Sequence, residues 1–174
     1  MANHLSEGAT LVIDQIDTIY QPITALVERL EQSFEVSIQA NMYASWRSVP
    51  GFNVHWDDHD VIVLQIAGRK RWKIFGETEK YPVERIRQSQ PPQGEPMWDY
   101  VLEDGDALYI PRGWWHSATA CSGPTIHITL AIKNPTALDV LGWLAIQLRR
   151  REFMRSDVPR FADSAEKAKY IDAI

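Results

Sequence analysis

The stretch HWDDHDVIVLQIAGRKRW, residues 55–72, decides how this chain is read. It opens on two strong metal ligands, His55 and Asp57, one residue apart, and runs into the apolar sequence VIVLQI. It then breaks at Gly68 and closes on a basic cluster. In a β-strand, residues i and i+2 point to the same side. The segment NVHWDDHDVIVLQI (53–66) predicts such a strand, with His55 and Asp57 projecting together and Trp56 away. A lone His-x-Asp pair is common by chance, and a solvated loop or a satisfied core histidine accounts for it equally well.

A second segment raises its weight. In GDALYIPRGWWH (105–116) a strand ends at Pro111, turns through Gly113 and delivers His116 at the start of the next strand. Two histidines and one carboxylate can occupy one face of an octahedral ion and leave three positions open, the arrangement of non-haem Fe(II) oxygenases. A closed structural zinc site wants four ligands, usually including cysteines, and the chain has one cysteine, Cys121. His55, Asp57 and His116 are therefore the candidate metal ligands.

Around these segments the chain reads as mainly β. VSIQANMYASW (36–46), KRWKIFG (70–76), DALYIP (106–111), WWHSATA (114–120) and TIHITLAI (125–132) are short strand candidates, and TLVI (10–13) is another. Pro50-Gly51, Gly68, QPPQGEP (90–96), Glu103-Asp104-Gly105 and Ser122-Gly123-Pro124 punctuate them, as in a sandwich or barrel. A helix is expected from about Pro22 to Phe34, with Ile23, Leu26, Val27 and Leu30 on its core face. After Pro135 the pattern turns helical again. Leu138, Leu141, Leu144 and Leu148 form an apolar stripe, and SAEKAKYIDAI (164–174) reads as a last helix without a cap. Two regions result, a β-rich 1–135 and a helical 136–174.

Strand parity also assigns the remaining polar residues. Lys70 shares a side with Trp72 and Ile74 and so points inward, where a buried ammonium needs an anion. It either snorkels out from a hairpin end or binds the carboxylate of a small acidic ligand. Thr125, His127 and Thr129 share one face of TIHITLAI, and Asn41 and Tyr43 one face of QANMY; each set faces solvent or lines a polar cavity. His59 is assigned a supporting or surface role. Trp114 and Trp115 flank His116 and either pack the barrel or line its mouth. Cys121 has no activating partner in view and is expected to be buried and inert.

Composition excludes several classes. Lys plus Arg total 18 against 23 Asp plus Glu, a mild acidic excess that predicts no nucleic-acid-binding surface. The Arg149–Arg151 run is read as a solvated face. No apolar run approaches the roughly 18 residues that span a bilayer, the N-terminus lacks the order of a secretory signal, and the single cysteine fits a reducing compartment. A cytoplasmic location is expected. Motifs for serine hydrolases, P-loop nucleotide binding or paired CxxC zinc sites do not occur.

GDALYIPRGWWH resembles the second cupin motif, with Gly105, Pro111, Gly113 and His116 at its intervals and Ala120 in place of the usual later Asn. His55-x-Asp57 departs from the common cupin His-x-His as JmjC-type oxygenases do, and HWDDHDVIVLQIAGRKRWKIF resembles their ribosomal-oxygenase branch. The resemblance covers roughly residues 10–155. It implies a double-stranded β-helix barrel and hydroxylation of a protein or peptide side chain, such as one of a ribosomal protein, with Fe(II), 2-oxoglutarate and O2. His55, Asp57 and His116 would bind iron and Lys70 the distal carboxylate of 2-oxoglutarate. Asn41, Tyr43 and Thr125 match positions near the co-substrate, and His127, Thr129, Trp72 and Trp115 line or support the pocket. Family members usually continue into a helical dimerisation region and a winged helix. The winged helix is expected to be absent, and residues 136–174 are either a truncated dimerisation element, which would allow a homodimer, or a helical segment without that role. Selectivity for substrate is expected in loops such as 77–100. A metal cupin that does without 2-oxoglutarate and a non-catalytic cupin module remain the alternatives.

Overall fold

The computed structural model describes residues 9–46, 52–83, 90–121 and 123–173. The Pro50-Gly51 break, Ser122 and residues 84–89 of the 77–100 loop lie outside them. The chain divides into two units after Asn134.

The first unit is built on two antiparallel sheets. Its strands are β1 (Thr10–Ile13), β2 (Ile38–Ser45), β3 (Asp60–Ala67), β4 (Lys70–Glu77), β5 (Trp98–Leu102), β6 (Ala107–Ile110), β7 (Trp114–Ala120) and β8 (Thr125–Ile132). The larger sheet runs β1-β2-β8-β3-β6 and the smaller β5-β4-β7. Helix α1 (Gln21–Phe34) covers the outer face of the larger sheet. There Val27 and Ile16 meet Ile38 and Ala40 of β2 and Ile128, Leu130 and Ile132 of β8, with Ile23 and Leu30 beside them. Two carboxylates tie this layer to the backbone of β2. Asp17 accepts from the Ala40 N–H at 2.8 Å and Glu31 from the Ile38 N–H at 2.8 Å.

The inner faces of the two sheets meet in a second core, where Val61, Val63 and Ile110 pack against Trp72, Ile74 and Leu102. The period of two seen in the sequence is thus used twice over. Even-numbered residues of β2 and β8 pack beneath α1, and their odd-numbered neighbours face the space between the sheets.

Three expectations are corrected. The strand predicted from residue 53 begins only at Asp60, and the preceding ligand segment is irregular apart from one isolated bridge. The acidic run Asp57-Asp58 carries poor strand formers, and the Asp57 carbonyl accepts from the Gly113 N–H instead of from a strand neighbour. Strand β5, WDYVL, was missed because the Pro- and Gly-rich loop before it obscured its β-forming Trp98, Tyr100 and Val101. Cys121 is partly exposed rather than buried.

The second unit contains α2 (Ala137–Leu148), a short 3₁₀ turn at Phe153–Arg155, and α3 (Ser164–Asp172). Helix α2 starts from a capping box in which Thr136 and Asp139 satisfy each other's backbone N–H groups. Its expected apolar stripe is not buried. Leu138, Leu141 and Leu144 are exposed, and so are Val140, Trp143 and Ile146 on its other sides. No helix of the described residues is long and apolar enough to cross a membrane.

The turn that carries the chain from β3 in one sheet to β4 in the other depends on Gly68, whose φ is +72° and whose absent Cβ would lie 2.2 Å from the Pro124 carbonyl oxygen. Gly68→Ala is expected to destabilise the first unit by about 2 kcal/mol or more, measured as a shift in the urea midpoint. An unchanged midpoint would show that the turn relaxes freely.

Candidate metal centre

His55, Asp57 and His116 converge although only one of them lies in a regular strand. Their ligand atoms all fall within 4.8 Å of one another, with His116 buried and the other two half-buried. The two imidazoles are 4.4 Å apart between ring centroids, and His116 Nε2 lies 3.6 Å from Asp57 Oδ2.

Backbone bonds create this convergence. The His55 N–H donates to the His116 carbonyl at 3.1 Å and the His116 N–H to the His55 carbonyl at 2.7 Å, a two-residue bridge joining the segment before β3 to β7. Two residues on from His55, the Gly113 N–H donates to the Asp57 carbonyl at 2.8 Å. Gly113 can present that N–H because its φ is +81°, a conformation open to glycine at no steric cost. A bulge between Ile74 and Gly76 on β4, opposite His116, adjusts the ladder next to the ligand.

Hydrogen bonds also fix which ring atoms face the site. His55 Nδ1 is 2.8 Å from the Asn53 carbonyl oxygen and His116 Nδ1 is 2.9 Å from that of Trp114. A carbonyl only accepts, so both Nδ1 atoms carry the proton and both Nε2 lone pairs are left for a ligand. Such outer contacts are what hold metal-binding imidazoles in orientation.

The three residues line a cavity of about 390 Å³ together with Thr10, Asn41, Tyr43, Phe52, Asn53, His59, Val61, Lys70, Trp72, Ala118, His127 and Thr129. That volume lies in the range of small-molecule sites. The sequence-derived set divides accordingly. Asn41, Tyr43, Lys70, Trp72, His127 and Thr129 line the cavity, whereas Thr125 and Trp115 do not. Thr125 Oγ1 accepts from Gln65 Nε2 at 2.7 Å, and Trp115 Nε1 donates to Thr78 Oγ1 at 2.8 Å. His59 reaches the cavity and bonds Asp58 at 2.9 Å through Nδ1. Phe52, Asn53 and buried Gln65 were not singled out from the sequence. The parity of Val61 and Val63 could have found Gln65, but no local signal marks Phe52.

Lys70 is 4% exposed. Burial lowers its pKa from 10.5 to about 8. Its hydrogen-bond partner is His127, with Nζ 3.3 Å from Nδ1, and no carboxylate pairs with it among the described residues. The neighbouring arginines are paired at the surface, Arg69 with Glu103 at 3.0 Å and Arg71 with Asp99 at 2.6 Å. Burial likewise raises the Tyr43 phenol, which keeps it protonated and hydrogen-bonded to Thr129.

These features coincide with the outcome of comparison. The model of the JmjC domain family matches residues 15–140. The chain belongs to the JmjC family. It is 36% identical over 130 residues to a Drosophila persimilis protein named bifunctional lysine-specific demethylase and histidyl-hydroxylase NO66, covering 74% of this chain and 19% of that one. A Rattus norvegicus protein named ribosomal oxygenase 2 is 29% identical over 160 residues, covering 87% of this chain and 34% of its own length. The JmjC chain thus spans about a third or less of these relatives. Its fold matches that of Escherichia coli YcfD, with a TM-score of 0.69, 22% identity and coverage of 94% of this chain and 46% of that one. The double-stranded β-helix barrel implied by the sequence resemblance is therefore the fold.

A depressed lysine pKa carries a stability consequence. Between about pH 8 and 10.5 the unfolded chain holds the Lys70 proton and the folded chain has released it, so folding is favoured as pH rises through that window. Below it the buried ammonium costs about 3 kcal/mol. Lys70→Met is expected to be more stable than wild type at pH 7 and to lose that advantage by pH 10, in urea unfolding at both values. A constant difference would mean that the ammonium is solvated.

Proposed function

We propose that this JmjC chain is the catalytic part of an Fe(II)- and 2-oxoglutarate-dependent oxygenase that hydroxylates a side chain of a protein, such as a ribosomal one. The observation that carries the proposal is the pairing, within one cavity, of a His/Asp/His ligand face with a buried cation that has no anion among the described residues. The donor set fits iron, because two imidazoles and one carboxylate leave three positions open. Lys70 fits the co-substrate, because a dicarboxylic acid can reach the metal with one end and an ammonium with the other. The names of the relatives point the same way, as does a YcfD structure in complex with cobalt and 2-oxoglutarate.

Each side chain then has a task. His55, Asp57 and His116 would hold the metal, with the rings aimed by the Asn53 and Trp114 carbonyls. Lys70 takes the distal carboxylate, and the Trp72, Val61 and Ala118 walls keep water from the reacting centre. Bound iron and 2-oxoglutarate supply, with O2, the oxidising power for C–H hydroxylation, and succinate and carbon dioxide are released. Phe52, Asn53 and His59 belong to the segment that carries the ligands and are placed to meet an entering side chain. The proposed setting is the cytoplasm, without direct nucleic-acid binding.

The proposed assembly is a homodimer formed through residues 136–174. A helix that is apolar on all sides, as α2 is, does not remain in water uncovered. Light scattering should give twice the chain mass for wild type and the monomer mass for Leu141→Glu/Trp143→Glu. A monomeric wild type removes the dimer from the proposal.

Anaerobic titration with Fe(II) and then 2-oxoglutarate tests the chemistry. A visible charge-transfer band is expected for wild type, none for His116→Ala, and a band needing roughly 100-fold more 2-oxoglutarate for Lys70→Met, as loss of a charged hydrogen-bond partner implies. Iron binding without a band at any 2-oxoglutarate concentration would leave a metal site serving other chemistry.

A further inference from the structure

Lys70 and His127 form a buried pair whose partner choice is unusual. A buried lysine that only had to be neutralised would be met by Asp or Glu, and such a carboxylate would repel an incoming acid. Here the partner is an imidazole. An ammonium can only donate, so His127 accepts through Nδ1 and holds its own proton on Nε2. Burial, and then the charge of Lys70, keep His127 well below the usual histidine range and hence neutral.

The imidazole is also immobilised. It is 3% exposed and stacks on Tyr43 with centroids 4.9 Å apart and planes 11° apart. The Trp72 ring stands at 89° to it, 5.4 Å away. Tyr43 of β2 and Gln65 of β3 are its register partners on the two flanking strands. The lone pair therefore has one fixed direction. It engages one of the three N–H groups of Lys70 and leaves two, matching the two oxygens of a carboxylate.

From this geometry we infer that His127 is the positioning residue for Lys70, a neutral acceptor that fixes the ammonium so that two N–H donors and its full charge face the distal carboxylate of the co-substrate. The inference rests on the co-substrate reading above and adds the device that aims the clamp. It accounts for the placement of a histidine, rather than an acid, at the floor of the cavity.

Two variants separate aim from packing. His127→Phe keeps a ring against Tyr43 but has no lone pair, while His127→Asn offers Oδ1 near the place of Nδ1. Calorimetry of 2-oxoglutarate binding to Mn(II)-loaded protein should show about 10–100-fold weaker binding for His127→Phe and recovery of most of it for His127→Asn. Mn(II) affinity should stay unchanged in both. Nitrogen NMR of metal-free wild type should show the Nε2–H tautomer at His127. Equal 2-oxoglutarate affinity for His127→Phe and wild type, or an Nδ1–H tautomer, overturns the inference and leaves the co-substrate reading intact. A wild type that takes Mn(II) but no 2-oxoglutarate removes that reading, and the inference with it.

Discussion

Strand β8 must satisfy two incompatible environments, and the rest of the first unit is arranged around that requirement. Ile126, Ile128, Leu130 and Ile132 alternate with Thr125, His127 and Thr129. A slip of one residue would exchange the faces, placing imidazole and hydroxyls under α1 and isoleucines in the cavity. Pairing on both sides prevents it. β2 and β3 hold β8 in register along nearly its whole length, and the Gln65 amide locks Thr125 at one end. The polar cavity thus exists because an apolar layer on the other face pins the strand that lines it.

Electrostatics runs against stability at the same place. Lys70 is buried at a net cost, and Trp72 Nε1 and Gln65 Oε1 are buried without a protein partner among the described residues. Away from the cavity, charges are treated in the ordinary way: Asp60 accepts from the Arg112 N–H and from Asn134 Nδ2, and Arg71 forks onto Asp99 in water. Lys70 and Trp72 line the cavity, as expected where binding rather than folding sets the residue choice, whereas Gln65 lies behind it against Thr125.

Legibility in the sequence followed the same division. Where a strand is long and alternating, residue pattern and structure agree: β7 and β8 have the predicted bounds, and Lys70 points inward as its parity with Trp72 requires. The convergence of the candidate metal ligands was anticipated for a partly mistaken reason. His55 and Asp57 share a side through backbone bonds to His116 and Gly113, not through membership of a strand, and long-range bonds of that kind leave no local pattern. The same limit hid Phe52 and Asn53, which reach the cavity only through the fold of their segment. Thr125 had the right parity but lies one step too far along the barrel, spent on Gln65. The leucine spacing of α2 showed a helix, yet spacing cannot show what covers it.

The irregular segment that carries His55 and Asp57 stands outside both ladders, attached to the barrel backbone through the paired His55–His116 bonds and the Gly113 N–H. Those bonds can open without breaking any sheet. The two hydrophobic cores contain no ligand residue. Folding of the barrel is thereby separated from occupancy of its centre. A chelating agent added to metal-loaded protein should therefore leave a folded chain, unlike small domains whose structure collapses with their metal.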